Sequence, residues 1–316
     1  MDSLGTTPYN VFQGVNMREK RIRSIFLAVS VAVITATAPG IYGGNTMNAQ
    51  IERHTCRSAD GVQIVYSACG AGEPALVFIH GGVADRSFWD AQLKAFAGHH
   101  RVIAPDLAGH GESGTNRTKW GLPEFGADVR AVVEAEKAAK VIIFGNSLGG
   151  PVAIESALLM PGRVLGVVGV DTFQSFDYTY TDAAALARAE AFQKNFAGSV
   201  KAMTRALFHR DADPKIVEDA ERRMAKTSPE AMYEMFKSLG GYDQAAAARR
   251  LTVPLRAING DLYPTDVAGV RKVKADFDAV IMKHMGHYPM LERPDEFNRH
   301  VTAVVEELSR PLRKED

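Results

Sequence analysis

The sequence predicts an α/β fold built on a mostly parallel sheet, and three observations carry that reading. Short apolar runs without polar alternation recur along the chain, as strands covered on both faces require. Amphipathic stretches with helical spacing separate them, the alternation of a sheet sandwiched between helices. One segment, residues 172 to 250, breaks the alternation with helix signals and no convincing strand.

The elements follow in order. A two-stranded start spans about 51 to 69, with Asp60-Gly61 turning a hairpin. The apolar runs are Ala75 to Ile79, Val102 to Ala104, Val141 to Phe144, Val164 to Val170, Leu255 to Ile258 and Val280 to Met282. Helices are expected over Arg86 to Ala97, Pro123 to Ala138, Ser147 to Leu159 and Pro294 to Leu308. Inside the interruption, Thr181-Asp182, Ser199 and Ser228-Pro229 each read as helix starts. That segment holds ten of the 26 aromatic residues, Tyr178, Phe192 and Phe236 among them, with Met203, Met224, Met232 and Met235 alongside. Most of these must pack the segment's own core, and the remainder can wall a pocket. The expected organisation is an N-terminal extension over 1–49, a core made of 50–171 and 251–316, and a helical lid over 172–250.

With 316 residues and 46% hydrophobic content, the chain can bury a sizeable core. Its 37 basic and 37 acidic side chains cancel, and no run of five like charges occurs, so no long-range field draws in nucleic acid or an anionic membrane. A small-molecule substrate is the partner this composition favours. From Met17, a basic stretch ending at Arg23 runs into the apolar segment Ser24 to Ala38 and then Pro39-Gly40, the order of a secretory signal peptide. Fifteen apolar residues are too few to cross a bilayer comfortably, so stable membrane insertion of the mature chain is not expected. Cleavage after Ala38 or near Ala49, and export, are the expectation; an N-terminal anchor, or a cytoplasmic chain starting at Met17, are the alternatives. Cys56 and Cys69 fall out of register across the hairpin, which predicts two unpaired thiols.

The chemistry centres on Gly145-Asn-Ser147-Leu-Gly149-Gly150, which follows an apolar strand and opens a helix. So tight a turn strains the serine backbone, and the flanking glycines leave room that a Cβ would fill. A serine hydroxyl needs a base, and His287 lies in the loop between the last apolar strand and the C-terminal helix, at the sheet edge expected for Ser147. A carboxylate must then orient the imidazole. Asp261, just after the strand Leu255 to Ile258, ranks first, with Asp171 and Asp266 as alternatives. His80-Gly81-Gly82-Val83 ends the strand Ala75 to Ile79, so the amide of Gly82 or Val83 can join that of Leu148 in an oxyanion hole. His99, His100, His209 and His300 read as solvated surface residues. No metal-ligand cluster, phosphate loop or dinucleotide fingerprint is visible, and no cofactor or metal is expected.

Over roughly residues 62 to 308 the chain resembles the α/β-hydrolase superfamily. The resemblance rests on His80-Gly81-Gly82, the Asp106 to Ser113 segment, the elbow around Ser147, Gly286-His287 and Glu292-Arg-Pro294, in the family's order. It implies an eight-stranded, mostly parallel sheet, a helical lid at the interruption, and Ser147, Asp261 and His287 as a triad. The position where the family usually places its acid is Tyr263 here, which makes the acid the departure from the pattern. Asn146 resembles the elbow of hydrolases that cleave carbon–carbon bonds in aromatic ring-fission products. The expected activity is hydrolysis of small or medium apolar or aryl carboxylic esters through an acyl-enzyme. A lactonase, carbon–carbon hydrolase, amidase or cofactor-free perhydrolase on the same fold is the alternative, and a ligand-binding sensor with an idle triad is the second.

Overall fold

The computed structural model describes residues 50–177 and 180–310; the signal-like segment and Tyr178 lie outside the described residues. Eight strands form one sheet in the order β1-β2-β4-β3-β5-β6-β7-β8. The hairpin strands β1 (Glu52–Arg57) and β2 (Gln63–Cys69) pair antiparallel, and β2 pairs antiparallel with β4 (Val102–Pro105). All remaining pairs are parallel: β4 with β3 (Ala75–Ile79), then β5 (Val141–Asn146), β6 (Val164–Val170), β7 (Leu255–Gly260) and β8 (Asp278–Met282).

The apolar runs become strands because only a sheet covered on both faces keeps every such side chain from water. All residues of β3, β4 and β5 are buried, whereas β1 and β8 at the two edges are partly exposed. Helices flank the sheet: α1 (Asp90–Phe96) after a single 3-10 turn, α2 (Leu122–Ala135), α3 (Gly149–Leu159) and, at the C-terminal end, α11 (Pro294–Ser309). Helix α3 is buried from Gly149 through Ala157, so it sits inside the molecule with its N-terminus at the end of the central strand β5.

Between β6 and β7 the chain is helical: α4 (Asp182–Lys194), α5 (Phe196–Leu207), α6 (Pro214–Met224), α7 (Pro229–Ser238) and α8 (Gln244–Arg249). Thr181 and Ser228 cap α4 and α7 through their hydroxyls, as their sequence context requires. Ser199 is not a helix start. Asn195 caps α5 by accepting the Gly198 N–H, and Ser199 lies inside the helix with its hydroxyl on the Ala191 carbonyl. The insertion packs its own core around Phe192, Met224, Met232 and Met235. After β7 come α9 (Val267–Arg271) and, beyond β8, the single turn α10 (Pro289–Glu292).

Both thiols are free. Cys56 stands opposite Ile64, and Cys69 is at the far end of β2 against the Leu93 carbonyl, so the register keeps them apart. Burial pushes the Cys56 thiol up to about 11, which leaves it a neutral packing group. Among the described residues no helix is long and apolar enough to cross a membrane.

Candidate active site

Strands β3, β5, β6, β7 and β8 are neighbours that run parallel, so the loops at their carboxyl ends share one edge of the sheet. There they border a cavity of about 240 Å³ lined by Gly82, Ser147, Leu148, Asp171 and His287 from the sheet side. The insertion supplies the opposite wall, including Arg188, Met203, Leu207, Met235 and Phe236.

Ser147 occupies the turn between β5 and α3 with φ +51°, a left-handed conformation that costs a non-glycine residue energy and points to a purpose for the strain. The glycines around it are dictated by contact. A Cβ on Gly145 would lie 2.0 Å from the Gly149 carbonyl oxygen, and one on Gly149 would lie 2.6 Å from that of Ile79. The amide of Ser147 is tied to the Val170 carbonyl at 3.2 Å, which fixes the turn against β6.

His287 is buried, and its Nδ1–H donates to Oδ2 of Asp171. Asp171 ends β6 with φ +46°, a turn that swings its carboxylate along the strand ends; its other oxygen, Oδ1, accepts the Gly260 N–H at 2.9 Å. Both carboxylate oxygens are therefore engaged, and a carboxylate can only accept, so the Nδ1 proton belongs to the imidazole and the lone pair of the neutral ring is on Nε2.

Asp261 is not the partner of His287. Its Oδ1 accepts the Met285 N–H at 3.2 Å and its Oδ2 lies 3.8 Å from the Lys283 ammonium, so it holds the turn that leads into the His287 loop. Slight burial pushes its carboxyl up but is outweighed by the Met285 and His284 amides and the Lys283 charge, which hold it below the ordinary value. Asp266 is a helix cap: its Oδ1 accepts the Gly269 N–H at 2.9 Å at the start of α9. Strands β6 and β7 are adjacent, with Val170 opposite Ile258, so acids at either end reach the same edge, and it is the sharp turn at Asp171 that decides between them. Tyr263 lines the cavity.

Three supports for His287 have no counterpart in the sequence reading. Asn146, fully buried beneath the elbow, donates from Nδ2 to the carbonyls of Val170 (2.9 Å) and His287 (3.0 Å), bracing the His287 loop against the strand that leads to Ser147. Glu292 accepts the amides on either side of His287: Gly286 at 3.2 Å on Oε2 and Tyr288 at 3.3 Å on Oε1. The His287 amide donates to Leu207 at the end of α5, at 2.7 Å. Burial raises the Glu292 carboxyl above its ordinary value, against the pull of the amides of His209, Gly286 and Tyr288. Gly286 is required because a Cβ there would meet the His209 nitrogen at 2.4 Å. Next to His287, burial and then the Asp171 charge push the Tyr288 phenol up, so it stays neutral.

Gly82 and Leu148 face the cavity beside Ser147. Val83 is buried at the same turn with φ +68°; its carbonyl accepts the Thr227 hydroxyl at 2.8 Å, and it does not line the cavity. His80 sets this turn: its Nε2 accepts the Leu107 amide at 3.0 Å, so Nδ1 carries the proton and donates to the Gly81 carbonyl at 2.7 Å. The Asp106 to Ser113 segment is structural. The buried Asp106 carboxylate accepts the Arg86 and Glu112 amides and pairs with the Arg86 guanidinium, at the spot a Gly111 Cβ would fill.

His209 is not a solvated surface residue: it packs edge-on to His284 with ring centroids 5.9 Å apart. With Asp211 these two bring potential metal-binding atoms within 4.8 Å of one another, although His209 Nδ1 already accepts the Asp211 amide at 3.2 Å.

The model of the alpha/beta hydrolase family matches residues 76–300. The chain belongs to that family. It is 26% identical over 257 residues to a pimeloyl-[acyl-carrier protein] methyl ester esterase of Nitrosospira multiformis, covering 75% of this chain and 95% of the relative. It is likewise 26% identical over 265 residues to 3-oxoadipate enol-lactonase 2 of Acinetobacter baylyi, covering 78% of this chain and 95% of the relative. Among solved structures it resembles a putative aryl esterase from Burkholderia cenocepacia, with TM-score 0.70, 25% identity, 82% of this chain and all of that one covered. A thermophilic esterase from Thermogutta terrifontis shares the fold at TM-score 0.72 and 19% identity, over 82% of this chain and 100% of that one. The α/β-hydrolase fold read from the motifs is confirmed, and these likenesses place the protein with hydrolases of esterase type.

Proposed function

We propose that the protein hydrolyses carboxylic esters through an acyl-enzyme on Ser147. The observation that carries this reading is the Asp171–His287 pair on the wall of the cavity that Ser147 also lines. In the reaction, the Ser147 hydroxyl attacks the ester carbonyl carbon while His287 Nε2 takes its proton. Asp171 holds the imidazole in the required tautomer and stabilises the imidazolium. The amides of Leu148 and Gly82 receive the oxyanion; a donor so placed contributes about 3 to 4 kcal/mol to transition-state stabilisation. His287 returns the proton to the leaving alcohol, and a water then repeats the attack to release the acid.

The helical insertion acts as the lid of the cavity, and its Met203, Met235 and Phe236 exclude water from the acyl group. A lactone is a cyclic ester, so the likeness to an enol-lactonase favours including lactones in the same chemistry. We propose further that the segment from Met17 to Ala38 directs export of the chain.

The test is turnover of 4-nitrophenyl butyrate together with labelling by a fluorophosphonate. Wild type releases nitrophenol and gains one phosphonyl group by intact mass; Ser147→Ala does neither. Near-normal turnover by Ser147→Ala refutes the reading.

A further inference from the structure

The loop after α5 and the loop after β8 bring two imidazoles and a carboxylate together away from the cavity that Ser147 lines. His209 and Asp211 belong to the helical insertion, and His284 lies on the core loop that leads to His287. Their ligand atoms all fall within 4.8 Å of one another, and the two rings meet edge-on. Asp211 Oδ2 is 3.4 Å from His209 Nδ1. Two donors on one tetrahedral zinc, each about 2.0 to 2.1 Å from the metal, stand about 3.4 Å apart, so this pair already spans one edge of a coordination tetrahedron. The remaining closure is on the order of 1 Å, within reach of the exposed His284 ring.

The surroundings leave these donors to a cation. Arg210 lies 3.9 Å from the other Asp211 oxygen, Oδ1, and both groups are exposed, so the attraction between them is weak. The Asp211 amide that His209 Nδ1 accepts is 3.2 Å away at an exposed residue, where water can take its proton when the ring turns to a metal. On the core side, Arg293 pairs with Glu296 and donates to the Lys283 and His284 carbonyls, while Asp261 accepts the Met285 amide. The backbone on both sides of His284 is thereby held. Insertion and core are already joined here, because Glu292 Oε2 accepts the His209 and Gly286 amides, each at 3.2 Å, and the His287 amide donates to Leu207. We propose that His209, Asp211 and His284 bind a divalent cation of the zinc class, which ties the helical insertion to the loop carrying His287. Two imidazoles with one carboxylate suit zinc, whereas magnesium and calcium take oxygen donors. Water completes the tetrahedron.

The test is calorimetric titration of the tag-free full chain with zinc chloride, beside His209→Gln, Asp211→Asn and His284→Asn. Asparagine is chosen at position 284 because that residue has φ +52°, a conformation asparagine tolerates. Wild type binds one zinc per chain at a saturable site, and each variant weakens that binding by about tenfold or more. Thermal melts give a second readout: zinc at a hundredfold excess over its Kd raises the Tm of wild type by about 5 °C and leaves the variants nearly unmoved. Melts without zinc show whether each variant is folded, and the exposed Asp211→Asn carries the test if a histidine variant is not. Both readouts are independent of ester turnover, so failure here leaves the hydrolase reading standing. Absence of saturable binding by wild type overturns the site, as does binding that all three variants retain, which would put the metal elsewhere, on the Asp171–His287 pair for example. Binding lost in His209→Gln and Asp211→Asn but kept in His284→Asn overturns the tie between insertion and core.

Discussion

His287 and Asp171 are joined by a hydrogen bond although 116 positions separate them in the chain. The bond exists because β6 and β8 end at the same edge of the sheet, either side of β7, and because the Gly260 amide fixes the second carboxylate oxygen. His287 is thus positioned from three directions: Asp171 at its ring, Asn146 at its carbonyl and Glu292 at its neighbouring amides.

Asn146→Ala takes the side-chain donor from two buried carbonyls, of which Val170 keeps the Ser147 amide, at a cost of about 1 to 2 kcal/mol in urea unfolding. Loss of the brace also lowers kcat, by roughly tenfold for a displacement well under an ångström. Asn146→Asp is worse than Asn146→Ala in both measurements, because it turns a carboxylate oxygen toward those same carbonyls.

Glu292→Gln replaces one accepting oxygen with an amide that must face backbone N–H groups, either at Tyr288 or at Gly286 and His209. The unfolding free energy falls by about 1 to 3 kcal/mol. Nitrophenyl ester turnover falls with it, and both losses are read from the same purified variant.

Gly145→Ala drives a methyl to within 2.0 Å of a backbone oxygen that cannot move away, so the variant loses most of its soluble yield or about 4 kcal/mol of stability. Gly98→Ala is the control. Nothing lies within 4 Å of its Cβ, and stability changes by no more than about 0.5 to 1 kcal/mol.

Fully buried His110 has a pKa well below 6.5, chiefly from burial and then from the neighbouring His80 ring. In the folded protein it stays neutral where the unfolded chain takes up a proton, so the unfolded state binds more protons below pH 6.5 and stability falls as pH drops through that window. The slope is at most about 1.4 kcal/mol per pH unit for this one group. The raised carboxyls of Glu292 and Asp106 act in the opposite sense above their ordinary values, so the clean readout is a difference. Between pH 7 and 5.5, wild type loses more unfolding free energy in urea melts than His110→Gln does.

The sheet was legible because buried parallel strands leave continuous apolar runs, and the elbow because glycine spacing records steric contact directly. The place of Ser147 and His287 at one cavity followed from their positions after strands. The acid did not, since Asp171 and Asp261 both follow strands that end at one edge, and the turn that selects Asp171 is a single backbone angle with no signature beyond an acid placed directly at a strand end. Asn195, rather than Ser199, caps α5 because the preceding helix stops one residue earlier, a junction that composition does not mark. Arg188 was hidden for another reason: an arginine on a helix reads as solvated until tertiary packing sets it on the cavity wall beside Phe192 and Phe236.

The most direct measurement is kcat/KM for 4-nitrophenyl butyrate in Asp171→Asn beside Asp261→Asn. Removing the acid that orients the imidazole costs about 10⁴-fold in such a triad, so Asp171→Asn falls by roughly that factor while Asp261→Asn falls by less than about tenfold. A collapse of Asp261→Asn with Asp171→Asn near wild type would contradict the account.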